Sequence, residues 1–287
     1  MKPDFTPSPT SVSGNPLLVA SVVDLLEQVE RLPAGATGAL VFGDEGVILV
    51  EDKQICWAVA RGMQPRLSDL LCGQRQPPLS HARLEQLCRS CRELGTPLGQ
   101  ALVEQGLLST AELRAALERH TCEALVRIAQ HTRGEPARFE SHRRDGYHAD
   151  FLFGPVELLA AFSGSRRGLL AAEAHVELKR RLPPDAYGIS FMRELDGVPV
   201  LLAVRPGWSL TVSAALAITR WVLQALDDAS RVDAACTALS GVWCEKTSFV
   251  AWRAGSLHYA ALCASRPASA RLLSSLVAQR RPPTEVT

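Results

Sequence analysis

Residues 209–227 read SLTVSAALAITRWVLQALD, and this stretch decides how the chain is organised. Apolar side chains recur through it at helical spacing, and Arg220 is the one charge between Leu210 and Leu226. Val212, Leu216, Leu223 and Leu226 make a stripe suited to a sheet face. Ala214, Ala217, Ile218, Trp221, Val222 and Ala225 then fall on the other sides. A helix that is apolar nearly all round has to be covered nearly all round, and one sheet face covers only one side. The second cover is either another part of this chain or a partner. The alanines permit close helix approach, so the six residues are taken as the candidate partner interface, the partner being an identical or similar subunit.

The flanking sequence supplies the sheet. AYGISFMREL (186–195) and GVPVLLAVRP (197–206) precede the helix, joined at Asp196-Gly197, a pair suited to a tight hairpin turn. Three β segments follow the helix: TALSGVWC (237–244), KTSFVAWR (246–253) and SLHYAALCA (256–264), the last two joined at Ala254-Gly255. A helix over 169–182 ends at Pro183-Pro184, and a final helix spans about 267–279. The order over 169–280 is α-β-β-α-β-β-β-α, with a mostly antiparallel sheet and helices on its faces.

Residues 17–163 read as another domain of the same class. LLVASVVDLLEQVERL is an amphipathic helix, stopped by Pro33 and Gly35. TGALVFG (37–43), GVILVED (46–52) and QICWAVA (54–60) are three short strands joined by turns of Gly, Asp and Glu. A helical extension follows. Ser80 caps one helix, Gly95 ends it, and Ser109 with Glu112 forms a capping box for another helix running to about His131. This region holds an internal repeat, RLSDLLCGQRQPPLSHARLEQLCRSC and PLGQALVEQGLLSTAELRAALERH, each a short helix, a turn, a Leu-Ser cap and a longer helix. ARFESH is a candidate strand, PVELLAAF a helix and 164–168 a linker. Residues 1–16, rich in Pro and Ser, and residues 281–287 are expected to be disordered. The fold class is therefore α+β: two domains, each a small mostly antiparallel sheet with flanking helices, the first carrying the helical extension.

The chemistry expected from composition is sparse. The 287 residues carry 31 basic and 30 acidic side chains, which removes a global electrostatic case for nucleic acid. No apolar run is long enough to span a membrane or to serve as a signal peptide, so a cytoplasmic protein is expected. There is no phosphate-binding glycine loop, no HExxH and no Gly-x-Ser-x-Gly elbow. Cys88-x-x-Cys91 would place two thiols on one helix face, but a second CxxC is missing, so no metal is expected. No cofactor and no catalytic residue are assigned.

Three family resemblances add to this reading. By its element order, its Asp196-Gly197 hairpin and its apolar central helix, the 169–280 region resembles the roadblock (dynein-light-chain-like) family. That resemblance implies pairing through the central helix and an edge strand, and binding of a small Ras-like GTPase. Residues 17–163 resemble the bacterial PATAN-type signalling domain, with Thr37-Gly38-Ala39-Leu40 and Ile55-Cys56-Trp57-Ala58 in the corresponding order. The helical repeat is similar to N-terminal domains of type II secretion ATPases, some of which bind cyclic di-GMP. Here Arg66, Leu98, Gly99 and Gly106 are the matching candidate ligand residues. Pro97, His120 and Ser68 depart from that pattern, removing groups that would contact guanine or phosphate. The function expected is a non-enzymatic regulatory or scaffold protein in GTPase or motility-type bacterial signalling, the alternative being a cyclic di-GMP sensor.

Overall fold

A computed structural model describes residues 16–64, 67–73, 79–132, 135–142, 148–183, 186–194, 197–205, 210–234, 236–244 and 247–278. The chain is α+β, with two antiparallel sheets flanked by helices, as its patterning predicts.

The first half opens with helix α1 (Pro16–Glu30), whose Leu18, Val22, Leu25, Leu26 and Val29 are buried at helical spacing. Strands β1 (Thr37–Phe42), β2 (Gly46–Glu51) and β3 (Gln54–Ala60) follow, and β4 (Arg138–Ser141) joins them in the order β3-β2-β1-β4. Burial alternates along β1, as a sheet with one face on a core requires. The β2–β3 turn places Asp52 at φ 45° and Lys53 at φ 64°, the left-handed pair of a type I′ hairpin. Asp52 Oδ1 accepts the Gly35 amide at 2.7 Å, which ties the turn to the end of α1.

The repeat folds as two helix pairs, α2 (Leu67–Gly73) with α3 (His81–Leu94), and α4 (Leu98–Glu104) with α5 (Thr110–Thr132). Leu71, Leu84, Leu87, Leu102, Leu113 and Ala116 form their shared core. Both predicted caps are present. Ser80 Oγ accepts the Arg83 amide at 3.3 Å, and Glu112 Oε2 accepts the Ser109 amide at 2.7 Å while Ser109 Oγ accepts the Glu112 amide at 3.2 Å. Gly95 ends α3 at φ 69°, a conformation that disfavours any residue with a Cβ.

Helix α6 (Pro155–Gly164) comes next. The linker expected at 164–168 is instead the end of α6, one 3-10 turn (Ser165–Arg167) and the start of α7 (Gly168–Arg181). These residues satisfy their backbone helically and pack down: a Cβ at Gly164 would fall 2.8 Å from the Leu202 carbonyl oxygen, and Arg167 pairs with Glu194.

The second sheet comprises β5 (Tyr187–Arg193), β6 (Pro199–Arg205), β7 (Ala238–Cys244), β8 (Thr247–Ala254) and β9 (Leu257–Cys263), in the order β6-β5-β9-β8-β7. Of the predicted Asp196-Gly197 turn, Asp196 lies outside the described residues and Gly197 has φ 83°. Helix α7 and the last helix, α9 (Arg266–Ala278), cover one face through Leu178, Val250, Trp252, Tyr259 and Leu272. The central helix α8 (Val212–Val232) covers the other.

The two sheets share one core. Leu25, Leu26, Ile48 and Ile55 from the first half join Phe191, Leu201, Ile218 and Val222 from the second, with Leu158 and Phe162 of α6 among them. Full burial of each such aliphatic side chain contributes ~1.5–3 kcal/mol. The face of α8 turned from its sheet therefore meets α1 and α6 of its own chain. No described helix is long and apolar enough to cross a membrane.

Candidate partner interface

Helix α8 starts at Val212, three residues inside the predicted boundary, because Thr211 is its cap: Thr211 Oγ1 accepts the Ala214 amide at 3.2 Å. It runs on to Val232, past the predicted end at Asp227. Its buried side is broad, comprising Val212, Ala215, Ile218, Thr219, Val222, Leu223 and Leu226.

The six candidate interface residues divide. Ile218 is 2% exposed and Val222 is 0% exposed, so both belong to the chain's own core. That corrects the expectation for these two; the cover on this flank comes from within the chain. Ala214, Ala217, Trp221 and Ala225 remain partly or fully exposed, spaced i, i+3, i+7 and i+11, which lines them along one flank of α8. Trp221, 41% exposed, sets its ring edge-on to Phe249 of β8, centroids 4.5 Å apart at 83°. Phe249 in turn lies over Gly241 of β7, where a side chain would run into its ring. The small-residue flank of α8 thus stands above the β7 side of the sheet.

Strand β7 ends that sheet: among the described residues it pairs only with β8. On its α9-facing side Val242 is 52% exposed. An edge strand carries unpaired backbone donors and acceptors along its outer side, and here apolar side chains flank it.

A polar clamp, not legible in the sequence, holds α8 down. Asp227 accepts from Arg193 of β5 and, at 3.2 Å, from Arg253 of β8. The two guanidinium groups hold the Asp227 carboxyl below its usual range, Arg193 foremost. Arg253 Nε donates at 3.2 Å to His258 Nε2, which leaves the His258 proton on Nδ1. Burial, with Arg253 and Arg193 beside it, pushes the His258 imidazole down to about 4. The ring lies nearly parallel to Phe191, centroids 5.7 Å apart.

The other candidate positions have local structural roles. Arg66 lies outside the described residues. Leu98 packs against the helical core, Gly99 sits so that a Cβ would come 3.2 Å from Leu113, and Gly106 turns the chain at φ 63°. Cys88 is half-buried and Cys91 buried, and among the described residues no three His, Cys, Asp or Glu side chains converge. His120 is buried, stacked on Trp57 at 4.3 Å, and burial lowers its basicity.

A cleft of about 860 Å³ runs along α5 beside the end of α6, lined by Glu118, Arg119, Cys122, Glu123, Val126 and Phe162 among others. Burial, with Glu157 nearby, raises the Glu118 carboxyl, and burial raises the Cys122 thiol, so this sulfur stays protonated at neutral pH. Sequence periodicity gave no signal for the cleft, because its walls come from two helices whose relative position is tertiary. No protein-family model, curated protein or solved structure matches this chain.

Proposed function

We propose that this chain is a non-enzymatic scaffold or regulatory protein whose second half pairs with another copy of itself or with a similar subunit. The observation that carries the reading is the juxtaposition, at one sheet margin, of β7, the edge strand among the described residues, with the Ala214–Ala217–Trp221–Ala225 flank of α8. Edge-to-edge pairing across a two-fold axis would continue the sheet between subunits and bring the two helix flanks together, an isologous contact. Alanine at three of the four positions allows close helix approach, and Trp221 is the large anchor such contacts favour.

The resemblance to roadblock proteins adds a small Ras-like GTPase as a second partner. Acting as a scaffold in GTPase or motility-type bacterial signalling fits a chain without recognisable catalytic motifs. The test is sedimentation velocity on the full chain, alone and with Trp221→Asp or Val242→Lys. Both residues are exposed enough for the fold to accept a charge. The expected result is a dimer at tens of micromolar, in the weak-dimer range, converted to monomer by either substitution. A strictly monomeric wild-type chain at that concentration refutes self-pairing.

A further inference from the structure

The first turn of α8 presents backbone N–H groups that its own helix cannot satisfy. Thr211 takes the amide of Ala214, two positions beyond the helix start. The amide of Val212 donates instead to Glu30 Oε1 at 2.7 Å, and Glu30 is the last residue of α1. One cap of the pairing helix therefore comes from the other half of the chain. At its far end the helix is held by its own sheet, through Asp227 with Arg193 and Arg253.

The surroundings of Glu30 indicate what this contact is for. Glu27 and Arg31 face it from α1 and its flank, Lys53 from the β2–β3 turn, and the Val212 N–H from α8. Burial raises its carboxyl above the usual range and outweighs the lowering by the Val212 amide. The ionised carboxylate is thus less favoured in the fold than in water, so above that raised range it detracts from folding stability. A carboxylate that burial disfavours, yet that makes one directed bond of 2.7 Å between the halves, fits a positioning role.

We propose that Glu30 is a positioning residue, an inter-unit helix cap that holds the first turns of α8, and with them Ala214 and Ala217, in the place that pairing requires. The proposal rests on the pairing reading above, and it makes the first half of the chain a regulator of pairing. Any partner or ligand that shifts α1 would weaken the cap and loosen the pairing flank.

The experiment compares the full wild-type chain with Glu30→Ala and Glu30→Gln, using amide exchange, sedimentation equilibrium and thermal melting. In Glu30→Ala, the amides of Val212, Ser213 and Ala214 should lose about tenfold in protection, and the pairing Kd should weaken by a similar factor, the size of one lost cap. Glu30→Gln keeps an acceptor and should recover part of both losses. The melting temperature of Glu30→Gln should match or exceed that of the wild type, because the amide carries no charge for burial to disfavour. In the wild type, protection of these amides should fall as pH drops through the raised Glu30 range, and in Glu30→Gln it should not. A dimeric wild type whose Glu30→Ala variant keeps both amide protection and Kd overturns the coupling alone. A monomeric wild type overturns self-pairing and the coupling with it.

Discussion

Exchanging Ile218 for Asp and exchanging Trp221 for Asp should have opposite consequences, although the two residues are neighbours on one helix. Ile218 is 2% exposed in the core shared by both sheets. Replacing it forfeits ~1.5–3 kcal/mol of apolar burial. A lone carboxylate there would also have to be neutral at pH 7, about three pKa units above its usual value, or about 4 kcal/mol. The sum, about 6 kcal/mol, is comparable to the whole stability of a typical domain, ~5–15 kcal/mol. Trp221 is 41% exposed, so a carboxylate there reaches water. Its loss is the edge-on contact with Phe249, about 0.5–1.5 kcal/mol, together with ~2 kcal/mol of apolar burial from the covered part of the ring. With a urea m-value of ~3 kcal/mol/M, the Trp221→Asp midpoint should fall by about one molar, against about two molar for Ile218→Asp. Urea titration followed by circular dichroism, with sedimentation velocity on the same samples, reads both effects. Ile218→Asp should be unfolded or nearly so without denaturant, and Trp221→Asp should be a folded monomer. An Ile218→Asp chain of wild-type stability would refute the placement of this flank in the core. Equal destabilisation by both substitutions would refute the division of the helix into core and pairing flanks.

Three further outcomes are expected. Burial, with Arg253 and Arg193 beside it, holds the His258 imidazole down at about 4, so the folded chain binds its proton less readily than the unfolded chain. The resulting stability, about 3 kcal/mol, is fully present above pH 6.5 and is lost as pH falls toward 4. Replacing His258 by Phe should flatten the urea midpoint across that window, and an unchanged slope would remove His258 as its source. Arg114 donates to the carbonyls of Asp150 and Leu152 and to Glu157, and lies 4.5 Å from the Phe153 ring centroid. Arg114→Ala should destabilise by ~1–2 kcal/mol and hasten proteolysis within 149–154, since it leaves the part-buried Leu152 carbonyl and Glu157 carboxylate without this donor; wild-type cleavage rates there would contradict this. Lys53 sits at φ 64°, a region disfavoured by ~1–2 kcal/mol for a residue with a Cβ. Lys53→Gly should therefore raise the melting temperature slightly, and a clear fall would show that Lys53 contributes through its charge.

Local patterning determined much of this protein. The elements, their hairpins, the Ser80 and Ser109 caps and the paired-helix repeat follow from hydrophobic period, turn chemistry and capping, and these act over a few residues. The same information could not decide what lies over α8. Ile218 and Trp221 are both apolar and three positions apart, and periodicity shows only that α8 needs more than one cover. The cover for Ile218 and Val222 comes from α1 and α6, far away in sequence, once the two sheets share a core. The capping of Val212 by Glu30, and the meeting of Asp227 with Arg193 and Arg253, are likewise long-range pairings of unremarkable surface-type residues. Spacing along the chain carries the period of each helix and strand. Which side of a nearly all-apolar helix meets its own chain, and which remains exposed, is set by tertiary packing alone.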